Sequence, residues 1–131
     1  MSMRRIAVAL SLAACGGLGL AASASASPLT QWWHSPDDNI ACSYFRAAPS
    51  VDCQTQNNLR VVILRHEKRA TVGKGIYVGA PGRVLGFGRT IQKGGFVCTS
   101  RRAYMQCYSR VSGHGFRIWA SGYSRIRVAP D

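Results

Sequence analysis

Apolar and polar residues alternate in short runs from residue 39 to residue 128, and no stretch of about twelve residues holds the i, i+3, i+4, i+7 spacing of an amphipathic helix. The runs predict strands over 39–45, 50–56, 59–65, 75–78, 84–91, 96–100, 104–109, 116–119 and 123–128. Turn-forming residues separate them: Asn57-Asn58, Gly73, Ala80-Pro81-Gly82, Gly94-Gly95, Gly113 and Ser121-Gly122. One short helix fits, over 65–70, and Thr71-Val72-Gly73 halts it. Short elements joined by tight turns predict an all-β fold, a small antiparallel barrel or sandwich.

The beginning of the chain has another pattern. Arg4 and Arg5 precede a mainly apolar run over 6–20, and 21–27 alternate alanine with serine, which is the order of a secretory signal. The pattern predicts a signal peptide over 1–26 and a single basic β domain over 27–131. Gly16, Gly17 and Gly19 interrupt the apolar run and no basic cluster follows it, so no transmembrane helix is expected in the mature form. The mature protein is expected to be secreted, either extracellular or periplasmic. Leu12-Ala13-Ala14-Cys15 offers the alternative of a lipobox, with the protein anchored through a lipidated Cys15.

An exported domain of this length has a modest core and gains from cross-links. Beyond Cys15 there are four cysteines, Cys42, Cys53, Cys98 and Cys107, an even number that reads as two disulfides. Sequential pairing lets each bridge close a hairpin. With Arg102-Ala103 at the turn, Cys98 stands opposite Cys107, Thr99 opposite Gln106 and Ser100 opposite Met105, so both sulfurs share a face. Zinc sites use closer pairs or a histidine at fixed spacing, and His34, His66 and His114 fit no such pattern. No metal or other cofactor is expected.

The segments SPDDNIAC (35–42), Val51-Asp52-Cys53, VLGFGRTI (84–91), GGFVC (94–98) and SGHGF (112–116), taken in order with both cysteine pairs, resemble a family of short secreted bacterial proteins known only as a domain of unknown function. The resemblance implies a secreted, two-disulfide β domain and brings no activity with it.

Charge narrows the partners. The chain holds 17 lysines and arginines against five acids, a formal net charge of +12. Loss of Arg4 and Arg5 leaves about +10, which draws a protein toward anionic envelope polymers or lipid head groups. No specific nucleic acid is indicated, and a monomer is expected. The three Gly-x-Gly steps lack the further glycine and the helix of a nucleotide loop and read as bends.

The last two predicted strands carry the candidate site. With Ala120-Ser121-Gly122 as a three-residue loop, Trp119 faces Tyr123, Arg117 faces Arg125 and Phe116 faces Ile126. One face then gathers Arg117, Trp119, Tyr123, Arg125 and Arg127, while Phe116, Ile118, Ile126 and Val128 turn to the core. Rings beside guanidinium groups suit an anionic ligand. The expected function is therefore a non-catalytic, secreted or envelope-associated module that binds anions through this face. Two alternatives stand beside it: a small hydrolase using His114 or the His34 region, and an inhibitor of a cell-wall hydrolase. The hydrolase would need a histidine and a carboxylate meeting in a pocket.

Overall fold

A computed structural model describes residues 30–129; the predicted signal over 1–26 and the lipobox at Cys15 lie outside the described residues. Eleven strands follow in order: β1 (Thr30–His34), β2 (Ile40–Phe45), β3 (Ser50–Thr55), β4 (Arg60–Arg65), β5 (Lys68–Lys74), β6 (Arg83–Val84), β7 (Thr90–Lys93), β8 (Phe96–Ser100), β9 (Met105–Ser109), β10 (His114–Trp119) and β11 (Gly122–Arg127). They form two sheets, a first with the order β5-β4-β3-β2-β1-β6 and a second with the order β11-β10-β9-β8-β7. Every pairing is antiparallel except β1 with β6. The sheets face each other as a sandwich, and neither closes into a barrel.

The period-two alternation explains why two layers form. In β2, β3 and β4 the positions Cys42, Cys53 and Val62 lie in one row, as do Tyr44, Val51 and Leu64, and all are buried. In β8, β9 and β10 the corresponding inner rows hold Cys98, Cys107 and Phe116, then Met105 and Ile118. These two surfaces close on one core together with Trp33, Phe96 and Ile91.

At the centre of the core each sheet carries a disulfide between directly opposed residues. Cys42 is bonded to Cys53 and Cys98 to Cys107, with Cα separations of 4.0 Å and 4.1 Å. The two bridges touch across the sandwich, with the sulfurs of Cys53 and Cys107 3.7 Å apart. The sulfurs of Cys42, Cys53 and Cys107 all lie within 4.8 Å of one another, because two bridges stack there. Oxidised sulfur is not the thiolate that a metal requires.

The structure departs from the pattern-based expectation at five places. β1 is a strand where none was predicted, and its Trp33 is fully buried. Residues 65–70 form no helix: Arg65 pairs with Lys68 around a His66-Glu67 turn, and β5 leaves in the opposite direction. The predicted strand over 75–78 is an unpaired strap that follows β5. The predicted strand over 84–91 is cut in two, because the chain leaves the first sheet after β6 and joins the second at β7. Gly88, at φ 82°, takes a backbone conformation within that crossing that other residues resist.

The fifth departure moves the candidate site. The β10–β11 loop has two residues, Ala120 and Ser121, so Trp119 pairs with Gly122, Ile118 with Tyr123, Arg117 with Ser124 and Phe116 with Arg125. Gly122 is a strand residue with no positive φ. A Cβ there would lie 3.0 Å from the Trp119 ring, which covers it. The glycine is needed as a platform for the indole and not for a left-handed turn. A slip of one residue turns every β11 side chain to the other face.

Candidate functional site

The five residues expected on one surface are divided between two. Arg117 and Trp119 point away from the core, on the outer face of the second sheet. Tyr123, Arg125 and Arg127 share the side of Phe116 and Ile118, at the edge where β11 meets the first sheet.

On the inner side Tyr123 packs against the core, and the guanidinium groups of Arg60 and Arg125 each lie 5.8 Å from its ring centre. The Arg125 Nε donates to the carbonyl of Ala70 on β5 at 2.7 Å, so this arginine fastens one sheet to the other. Arg127 donates to the Nδ1 of His114 at 3.3 Å. These three side chains close the edge of the sandwich and face no common ligand surface.

The outer side presents another arrangement. Arg117 lies in one row with Gln106, Thr99 and Thr90. Its Nε donates to Gln106 Oε1 at 2.8 Å, and its guanidinium stands 4.8 Å from the centre of the Tyr104 ring. The hydroxyls of Thr90 and Thr99 bond each other at 2.9 Å. Nearby, Arg102 lies over Phe87 at 5.1 Å. A polar sheet surface with arginines lying over rings is therefore present, built on Tyr104 and Gln106 and not on Tyr123. The alternation of Tyr104, Gln106 and Tyr108, from the preceding turn into β9, was the sequence signal for it.

None of the three histidines bonds both a serine hydroxyl and a carboxylate. His34 holds a carboxylate, with Nδ1 3.0 Å from Asp38 Oδ1 and 3.0 Å from the carbonyl of Ser35. The neighbouring Ser35 hydroxyl is committed elsewhere: it donates to Asp37 Oδ1 at 2.6 Å and accepts from the N–H of Ile40 at 3.1 Å. Burial pushes the Asp37 carboxyl up, but the bonds from Ser35 and Asn39 outweigh it and the net shift is downward. The group shapes the turn into β2. His114 opens β10 and takes its ring bond from Arg127, with no carboxylate partner among the described contacts.

His66, which sequence reasoning passed over, has the closest serine. Its Nε2 faces the carbonyl of Gly94 at 2.9 Å and so carries the proton, leaving Nδ1 to accept from the Ser109 hydroxyl at 2.6 Å. That hydroxyl oxygen also accepts from the N–H groups of Val111 and Ser112, at 3.1 Å and 3.3 Å, and Ser109 is fully buried. With its lone pairs filled and no path to substrate, Ser109 is no nucleophile. His66 stacks on Phe96 with ring centres 4.0 Å apart, and the group pins the β4–β5 turn to the second sheet.

Neither the curated proteins nor the solved structures contain a match to this chain. The segments VDC, VLGFGRTI, GGFVC and SGHGF lie within residues 46–126, and SPDDNIAC precedes them. Those residues, more than half of the chain, match the Family of unknown function (DUF6636), and the chain belongs to that family.

Proposed function

We propose that this protein is an exported, non-catalytic binding domain that takes an anionic polymer onto the outer face of its second sheet. The distribution of charge carries the reading. From residue 85 to residue 129, the part that builds the second sheet, the chain has eight lysines and arginines and no aspartate or glutamate, whereas Asp37, Asp38, Asp52 and Glu67 all belong to the half that builds the first sheet. A surface of one sign attracts polyanions over a distance set by ionic strength.

Local geometry supports the same face. Arg117 is already held by Gln106 and Tyr104, so it loses little side-chain freedom when it meets an anion. The bonded hydroxyl pair of Thr90 and Thr99 leaves one O–H to donate to a phosphate or sugar oxygen. Two disulfides and the signal-like start support an oxidising compartment outside the cytoplasm. No helix among the described residues is long and apolar enough to cross a membrane.

The test is retention on immobilised polyphosphate as salt rises. Changing Arg117 and the exposed Arg101, which directly follows β8, to Gln is expected to release the protein at lower salt and to flatten the salt dependence. Changing the exposed Arg46 and Arg69 to Gln removes the same charge from the first sheet's side and is expected to do less. Equal losses from both pairs would show that net charge alone acts.

A further inference from the structure

The outer face of the first sheet is not an ordinary wet surface. One row across it reads Trp32, Ser43, Asp52 and Ile63, contributed by β1, β2, β3 and β4. After β5 the strap over 75–78 returns across this face. Gly75 donates its N–H to the carbonyl of Leu59 at 2.6 Å, and the Gln54 amide donates to the carbonyl of Ile76. Strap and sheet enclose a concavity of about 290 Å³, at the small end of ligand pockets.

Its lining is mostly apolar, with Trp32, Phe45, Val61, Ile76 and Val78 around it, and its polar members are Ser43, Asp52 and Gln54. The Oδ1 of Asp52 is buried and meets no hydrogen-bond donor. An ionised oxygen without a donor is costly to bury, and a cation against the carboxylate that lines the concavity would lower that cost. Arg65 on β4 is the charged group that acts on Asp52, and it pairs in sequence register with Ser50 and Lys68. His34 on β1 stands one row away, beside Ala41 and Gln54.

We infer that this concavity is a binding site for a primary alkylammonium group, its N–H donors meeting the Asp52 carboxylate and its methylene chain lying among Trp32, Val61 and Ile76. One charged anchor in an apolar chamber matches a ligand with one charged end and an apolar body. A quaternary ammonium has no N–H to give the carboxylate. A sugar would leave most of its hydroxyls against Trp32, Val61 and Val78, and Gln54 Nε2 is already committed to Ile76. The same chemistry is carried by a free aliphatic amine and by a lysine side chain of a partner protein. Ile76 and its neighbour Tyr77 are 76% and 71% exposed, which offers apolar contact to a chain that flanks such a lysine. The site stands apart from the cationic face of the second sheet and does not depend on that reading.

The experiment is an amide and indole NMR titration of the protein with n-butylammonium, n-butanol, tetramethylammonium and a lysine peptide with apolar flanks. Butylammonium is expected to shift Trp32, Ser43 and Asp52, at least about tenfold more tightly than butanol or tetramethylammonium, a factor worth about 1.4 kcal/mol. Asp52→Asn should remove that advantage. Ile76→Lys, at an exposed position that leaves the fold intact, should weaken binding by setting a competing ammonium at the mouth. Binding should also fall as the solution is acidified through about pH 6, where Asp52 takes up a proton. A lysine peptide tighter than butylammonium identifies a protein partner, and a weaker one a free amine. Equal binding of butanol, an unchanged affinity in Asp52→Asn, or no shift with any amine would overturn the inference.

Discussion

The two sheets are alike inside and opposite outside. Each contributes one cross-strand disulfide to the same core, and the bridges touch at 3.7 Å. On its outer side, however, the first sheet hides a carboxylate under a strap, while the second shows hydroxyls, an amide and arginines to solvent. The inner alternation is dictated by the need to bury apolar area; the outer one is free to vary and so carries whatever distinguishes the protein. The sandwich keeps the two proposed sites, a pocket for a cation and a face for a polyanion, on opposite surfaces.

If the sheets are equivalent inside, removing either bridge should cost about the same. Cys42→Ala with Cys53→Ala, and Cys98→Ala with Cys107→Ala, are each expected to lower stability by roughly 2.5–3 kcal/mol from loop entropy alone. Thermal denaturation of both pairs measures it, and a loss confined to one pair would break the equivalence.

The coupling of the sheets rests in part on His66. Replacing it with alanine removes the bonds to Ser109 and Gly94 and the stack on Phe96, with an expected loss of about 2 kcal/mol in urea unfolding. A change near zero would mean that the core alone holds the layers together.

Asp52 should make the first sheet pH-sensitive. Burial raises its carboxyl from 3.8 to about 6, opposed by Arg65. The folded state therefore holds the proton more tightly than the unfolded chain. Asp52 thus favours folding most below about pH 4, and that advantage declines as pH rises through about 6. Asp52→Asn is expected to stabilise the protein by about 1–2 kcal/mol near pH 8, allowing for partial exposure, and by almost nothing near pH 4. Denaturant midpoints of both forms across this range check the sign.

The smallest effects separate the two sides of the second sheet. Arg125→Gln loses the bond to Ala70 and should cost about 1 kcal/mol, whereas Arg117→Gln should stay within about 0.5 kcal/mol and act on binding instead. The reverse order would return the binding surface to β11.

What the chain discloses to inspection follows the range of the interactions. Both disulfides and the register of Cys98 against Cys107 were legible because each hairpin is local, and Gly94-Gly95, both at positive φ, plainly mark the separate turn between β7 and β8. β1 was not legible: Trp32 and Trp33 acquire their opposite faces only by pairing with β2. The short helix that the pattern allowed over 65–70 yielded to pairing of β5 on β4, which no local pattern announces. The candidate face failed by one residue at Gly122, whose role is set by the Trp119 ring above it. Asp52 stood in view between Val51 and Cys53, but its burial depends on a strap more than twenty residues further along the chain.

The binding face is tested most directly by mapping backbone amide shifts as a short linear polyphosphate is added to the oxidised protein. The largest shifts are expected on Thr99, Gln106 and Arg117, with Ser43 and Asp52 unmoved. Shifts centred on Tyr123 and Arg125, or spread evenly over both sheets, would contradict it.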